Sequence, residues 1–132
     1  MKKFRVLLIE DDDTQRELLS ETIPFKSNLD ITVTTAEDGL CGIQKSESES
    51  YDVVVTDYYM PNLDGLEFIK KFREHETNKK VPVIFVSGFF SELDTANNKQ
   101  YFENVTFLQK PFSINDLIKK VDFYLLAKDL PA

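Results

Sequence analysis

A parallel α/β sheet with helices on both faces is the fold class this sequence predicts. Five strands follow in doubly wound (βα)5 order, giving a three-layer sandwich as one domain over residues 1–132, with its core at about 5–126. Three observations carry the prediction. Five short apolar runs rich in Val, Ile, Phe and Thr punctuate the chain. The central runs are continuously apolar instead of alternating, as parallel strands covered on both faces read. Between the runs lie segments of helical character, and strand–helix alternation implies a parallel sheet with right-handed crossovers.

The elements follow in order. "FRVLLI" is the first strand, and "DTQRELL" opens the first helix, with Asp13 as cap or Thr14 and Glu17 as a capping box. "ITVTT" is the second strand. In "AEDGLCGIQKSESES", Gly39 and Gly42 predict a short helix, and the Ser/Glu run after it reads as a solvated loop. "DVVVT" is the third strand, and Asp64 and Gly65 form a turn and helix start after Pro61. The helix "DGLEFIKKFREHE" then brings Leu66, Ile69 and Phe72 into register. "VPVIFV" is the fourth strand. "SELDTANNKQYFENV" has poor periodicity and two adjacent asparagines, so the fourth helix is expected to be short or mobile. "VTFLQ" is the fifth strand. In "SINDLIKKVDFYLL", Ser113 is an N-cap, Asp116 lies in the first turn, and Ile114, Leu117, Ile118, Val121 and Leu125 share one face.

Composition narrows the function. A net charge of −7 argues against direct nucleic-acid binding, because phosphate backbones are held by clustered Lys and Arg. The single cysteine, Cys41, allows no internal disulfide and fits a reducing compartment. The apolar run after the N-terminal lysines is shorter than the roughly seven residues a signal peptide needs, and no segment approaches the ~20 apolar residues of a membrane span. A soluble, cytoplasmic protein without membrane contact is expected.

Chemistry in an open α/β sheet collects at the carboxyl ends of the strands. Glu10 and Asp11 follow the first strand, within the run "LLIEDDD". Asp57 ends the third, Ser87 and Gly88 close the fourth, and Lys110 with Pro111 ends the fifth. Acids, a hydroxyl and a lysine thus converge from four separate strands. Asp12 and Asp13 read as a solvated cap and first turn favoured by the helix dipole. His75, among charged neighbours, and Cys41, near two glycines, read as solvated and as small packing respectively.

These residues resemble the receiver domains of two-component response regulators. The likeness runs from about Arg5 to Leu126 and is carried by "IEDD", by Asp57 followed by "MPNLDG", by Ser87, and by "KPF" at Lys110. The resemblance implies a flavodoxin-like, CheY-like sandwich in which Asp57 accepts a phosphoryl group from a histidine kinase or histidine phosphotransfer protein. It implies Mg²⁺ (or Mn²⁺) on Glu10, Asp11, Asp57 and the backbone carbonyl of Tyr59, with Lys110 and Ser87 on the phosphoryl oxygens. Ser87 and Phe107 form the implied switch, which changes the surface made by the fourth helix, fifth strand and fifth helix toward a downstream effector protein. Aromatics at Phe89, Phe90, Tyr101 and Phe102 crowd that surface. A cis Lys110–Pro111 peptide is also implied. A stand-alone switch with no output domain is expected, an acceptor with slow autodephosphorylation and no external substrate to turn over. A phosphorylation-dependent dimer is compatible with it.

Departures from the family pattern have consequences. Thr56 stands where an aliphatic residue is usual and places a hydroxyl beside Asp57. Tyr59 and Phe89 are bulky at positions that influence hydrolysis, which predicts a long-lived phosphoryl group. Glu103–Asn104 replaces the usual "GA" before the fifth strand. Two other classes compete. A haloacid dehalogenase type of hydrolase needs Asp-x-Asp-x-Thr or Val, but the only frame ending on Thr14 starts with Glu10. A phosphorylation-independent, receiver-like interaction module would have lost one of Glu10, Asp11, Asp57, Ser87 or Lys110.

Overall fold

A computed structural model describes residues 2–88 and 96–127. The apolar runs form β1 (Lys3–Ile9), β2 (Asp30–Ala36), β3 (Val53–Asp57), β4 (Val83–Ser87) and β5 (Val105–Gln109). They make one parallel sheet in the order β2-β1-β3-β4-β5. The order reverses once: the chain steps outward from β1 to β2, then returns past β1 to β3. Adjacent crossovers then leave by opposite faces, which opens a crevice above β1 and β3.

Period-two alternation divides the strands between two apolar layers. Val6, Leu8, Val53, Val55, Ile84 and Val86 face one layer, with α1 (Asp13–Lys26) and α4 (Ile114–Ala127) over it. Leu7, Ile9, Val54, Val83 and Phe85 face the other, under α2 (Gly39–Ser48) and α3 (Gly65–Glu74). Every residue of β3 and β4 is buried, the apolar runs and the polar residues that end them alike, whereas the edge strands β2 and β5 are mixed. On α4, Leu117, Ile118, Val121 and Leu125 are buried and Ser113 Oγ accepts from the Asp116 N–H at 3.1 Å. No helix among the described residues is long and apolar enough to cross a membrane.

The structure decides between the readings of the start of α1 and corrects the extent of α2. The cap of α1 is Asp12, whose carboxylate accepts from the Gln15 N–H at 2.8 Å; Asp13 is inside the first turn and pairs with Arg16. The helix α2 runs on to Ser48, taking in much of the Ser/Glu run read as loop. Its glycine at 42 is retained for closeness to the sheet, since a Cβ there would collide with the Ile9 side chain. The fourth crossover shows, among the described residues, only a helical residue at Ala96 and a 3₁₀ turn at Lys99–Tyr101, and the segment 89–95 lies outside them. Asn104 resolves the departure before β5: it takes the left-handed conformation (φ 58°) that Asn tolerates better than most residues, and its Nδ2 donates to the Lys80 carbonyl at 3.1 Å.

Arg73, on the buried side of α3, clamps the lower edge of the sheet. Its Nη1 donates to the carbonyls of Asn78 and Val81 at 2.7 and 2.6 Å, and its Nη2 to that of Glu103 at 2.8 Å. Burial pulls the guanidinium pKa down to about 10, opposed by the Glu103 charge, so it remains cationic at neutral pH. The strand entries of β4 and β5 are thereby tied to one side chain.

Candidate functional site

Register brings the strand-end residues together. Ile9 pairs with Thr56, Asp57 with Val86, and Ser87 with Gln109. Glu10 and Asp57 therefore follow the first pair side by side, with Ser87 one residue further along and Lys110 two, around the crevice set by the strand order. The Glu10 N–H donates to the Ala36 carbonyl at 3.0 Å and the Lys110 N–H to the Ser87 carbonyl at 2.8 Å, which holds both chain exits against neighbouring strands. The Lys110–Pro111 peptide is cis.

Glu10, Asp11 and Asp57 each offer a carboxylate oxygen, and the three oxygens lie within 4.8 Å of one another. Glu10 and Asp57 are buried and Asp11 is exposed, so the cluster opens to solvent on one side. Lys110 Nζ is 2.9 Å from Asp57 Oδ1. Burial drives the Glu10 carboxyl pKa up to about 8, reinforced by its hydrogen bond to Asp57 and the Asp57 charge. Burial also works to lower the Lys110 pKa, but the hydrogen bond to Asp57 and the charges of Asp57, Glu10 and Asp11 outweigh it, and the net shift is upward. Three carboxyl groups share one ammonium. Such a set takes up a proton or a cation, and hard oxygen donors at this spacing fit Mg²⁺ or Mn²⁺.

Of the residues predicted from sequence, Glu10, Asp11, Asp57 and Lys110 are brought together, and Ser87 is buried at the adjoining end of β4. Tyr59 lies in the bend that leaves β3, its side chain 48% exposed. Phe107 is half-buried, its ring 5.8 Å from Phe85 and 6.0 Å from Phe102. Tyr101 and Phe102 are likewise half-buried against the α2/α3 layer, and Phe89 and Phe90 lie outside the described residues. His75 is exposed at the end of α3, and Cys41 is half-buried as a free thiol.

Sequence reasoning missed Arg16, whose Nη1 donates to the Glu10 carbonyl at 2.9 Å while Nη2 pairs with Asp13. The only signal was a cation one turn after the acidic run. Tyr58 was also passed over. It is buried directly after Asp57, its ring packed edge-on to Phe85 at 5.0 Å and lying where a Cβ on Gly65 would collide. That contact explains the glycine at the start of α3.

Comparison with known proteins adds the family context. The family model of the response regulator receiver domain matches residues 6–122. The 3′,5′-cyclic-nucleotide phosphodiesterase regA of Dictyostelium discoideum is 32% identical over 93% of this chain and 15% of its own length. The chain spans 15% to 23% of the length of that relative and of three fungal transcription factors it matches. Among solved structures, the chemotaxis protein CheY4 of Vibrio cholerae superposes with a TM-score of 0.80 at 26% identity, covering 93% of this chain and 99% of that one. The receiver domain of the sensor histidine kinase PA1611 of Pseudomonas aeruginosa, solved with magnesium in its active-site cleft, gives 0.77 at 25% identity, covering 94% and 98%.

Proposed function

The chain belongs to the response regulator receiver domain family, and from that membership we propose that Asp57 accepts a phosphoryl group from a phosphohistidine donor, a histidine kinase or histidine phosphotransfer protein. The observation that carries the reading is the Lys110–Asp57 contact of 2.9 Å inside the cluster of three carboxylates. A buried nucleophilic carboxylate, a cation beside it and two further acids are what phosphoryl transfer to an aspartate requires, because that chemistry needs positioning and charge neutralisation more than covalent assistance.

One Asp57 oxygen attacks phosphorus in line; the O–P bond forms, the P–N bond of the donor breaks, and the imidazole leaves to take up a proton. Lys110 transfers its contact from Asp57 to a phosphoryl oxygen, and the Ser87 hydroxyl donates to another. Glu10, Asp11 and Asp57, with the Tyr59 carbonyl, would hold the divalent cation. When bound, Mg²⁺ or Mn²⁺ neutralises charge on the phosphoryl oxygens and on the carboxylates. The magnesium in the cleft of the PA1611 receiver supports this assignment by similarity. Movement of Ser87 toward the phosphoryl group biases Phe107 and the surface of β5 and α4 toward a form that binds a downstream effector protein.

The test is incubation with Mg²⁺ and acetyl phosphate or a phosphohistidine donor, followed by intact mass. One added phosphate, absent in Asp57→Asn, is expected. A chain that binds partners without taking up phosphate is instead an interaction module, and turnover of a phosphate ester makes it a hydrolase.

A further inference from the structure

Thr56 is fully buried in β3, between Ile9 of β1 and Phe85 of β4, in a layer otherwise built from apolar side chains. Valine has the same shape and suits such a position, so the hydroxyl needs a reason: a buried hydroxyl without a partner is costly. Its oxygen donates to the backbone carbonyl of Asp57 at 3.0 Å and lies 3.8 Å from Met60 Sδ. These partners stand at the two ends of the bend that carries Asp57 and Tyr59. β1 pairs with β3 no further than Ile9–Thr56, so no strand follows on that side to hold the Asp57 carbonyl. The rest of the bend is fastened by backbone bonds, from the Tyr58 N–H to the Val86 carbonyl at 3.0 Å and from the Gly65 N–H to the Tyr58 carbonyl at 2.6 Å.

We propose that Thr56 is a positioning residue: its hydroxyl donates to the Asp57 carbonyl, with the Met60 side chain packed against it, and so sets where the Asp57 carboxylate and the Tyr59 carbonyl stand relative to each other. The inference rests on the reading of Asp57 as phosphoacceptor and cation ligand. Thr56 touches neither donor nor cation, and it acts through the bend.

Three measurements on wild type, Thr56→Val, Thr56→Ser and Thr56→Cys test this. In the absence of metal, amide hydrogen exchange at Tyr58–Met60 is expected to quicken in Thr56→Val and to stay at the wild-type rate in Thr56→Ser. Mg²⁺ binding, followed by titration, weakens about tenfold in Thr56→Val, the loss expected from one buried hydrogen bond, and stays within about twofold in Thr56→Ser. Phosphorylation by acetyl phosphate slows by a similar factor in Thr56→Val. Unchanged exchange and Mg²⁺ affinity in Thr56→Val overturn the proposal. So does failure of Thr56→Ser to restore them. If Thr56→Val does not fold, Thr56→Cys decides: its thiol is a weak donor on a side chain of similar size, so exchange at Tyr58–Met60 must quicken, and unchanged exchange overturns the proposal. If wild type takes up no phosphate, the phosphoacceptor reading fails while exchange and metal affinity still decide the role of Thr56.

Discussion

Raising the pH is expected to destabilise the metal-free protein, and Mg²⁺ is expected to reverse the effect. The perturbed group is Glu10. Its carboxyl titrates at about 8 in the folded chain against 4.5 for an ordinary glutamate, so between these values the folded state holds a proton that the unfolded state has released. Stability therefore falls as pH rises through that window, the opposite of a salt-bridged acid. At 1.36 kcal/mol per pH unit the interval corresponds to a ceiling of about 5 kcal/mol. The cluster opens to solvent at Asp11, which screens the repulsion, and about 2 kcal/mol is the expected loss between pH 5 and pH 8. For a domain of this size that is a drop of about 6 °C in Tm. Saturating Mg²⁺, at about 100 times its Kd, adds roughly 2.7 kcal/mol and displaces the proton, so the gain is larger at pH 8 than at pH 5. Urea or thermal unfolding at several pH values, with Mg²⁺ or EDTA, measures both. Glu10→Gln removes the titrating group and should flatten the metal-free slope relative to wild type. Asp11→Ala should weaken the Mg²⁺ effect, whereas Asp13→Ala, on an exposed side chain paired with Arg16, should not. A metal-free stability that is level or rising from pH 5 to 8, or a slope unchanged in Glu10→Gln, refutes the reasoning.

Two further outcomes are expected. Arg73→Met leaves the carbonyls of Asn78, Val81 and Glu103 without their shared donor, and should lower unfolding free energy by about 3 kcal/mol in urea titration; a loss under about 1 kcal/mol contradicts the clamp. Tyr59 stands half exposed beside the site, and Tyr59→Asn should shorten the life of the phosphorylated form by admitting water, followed by the decay of intact mass after the donor is removed. A wild-type half-life of seconds sinks that expectation.

The fold was legible because the signals were local and strong. β3 and β4 are apolar up to their polar carboxyl ends and buried along their whole length, which a strand covered on both faces explains. The stripe of α4 and its Ser113 cap could be read from spacing alone. The cap of α1 was less so, since any of three consecutive polar residues satisfies the pattern, and the path of the chain out of β1 selects Asp12. The length of α2 was underestimated because glycine lowers helix propensity, an effect that packing against Ile9 overrides.

The sequence by itself determined which residues end each strand and which chemical types stand there: acids after β1 and β3, a hydroxyl after β4, a lysine after β5. Those are properties of residue type and order along the chain. Tertiary structure alone decided that Ile9 and Thr56 lie side by side, so that three carboxylates come within 4.8 Å and Lys110 reaches Asp57. It also decided that the Thr56 hydroxyl faces the Asp57 carbonyl, that Arg16 holds the carbonyl of Glu10, and that Arg73 is buried. Each of these depends on register between strands or on a side chain reaching a distant carbonyl, and neither register nor reach has a period that a linear pattern can carry.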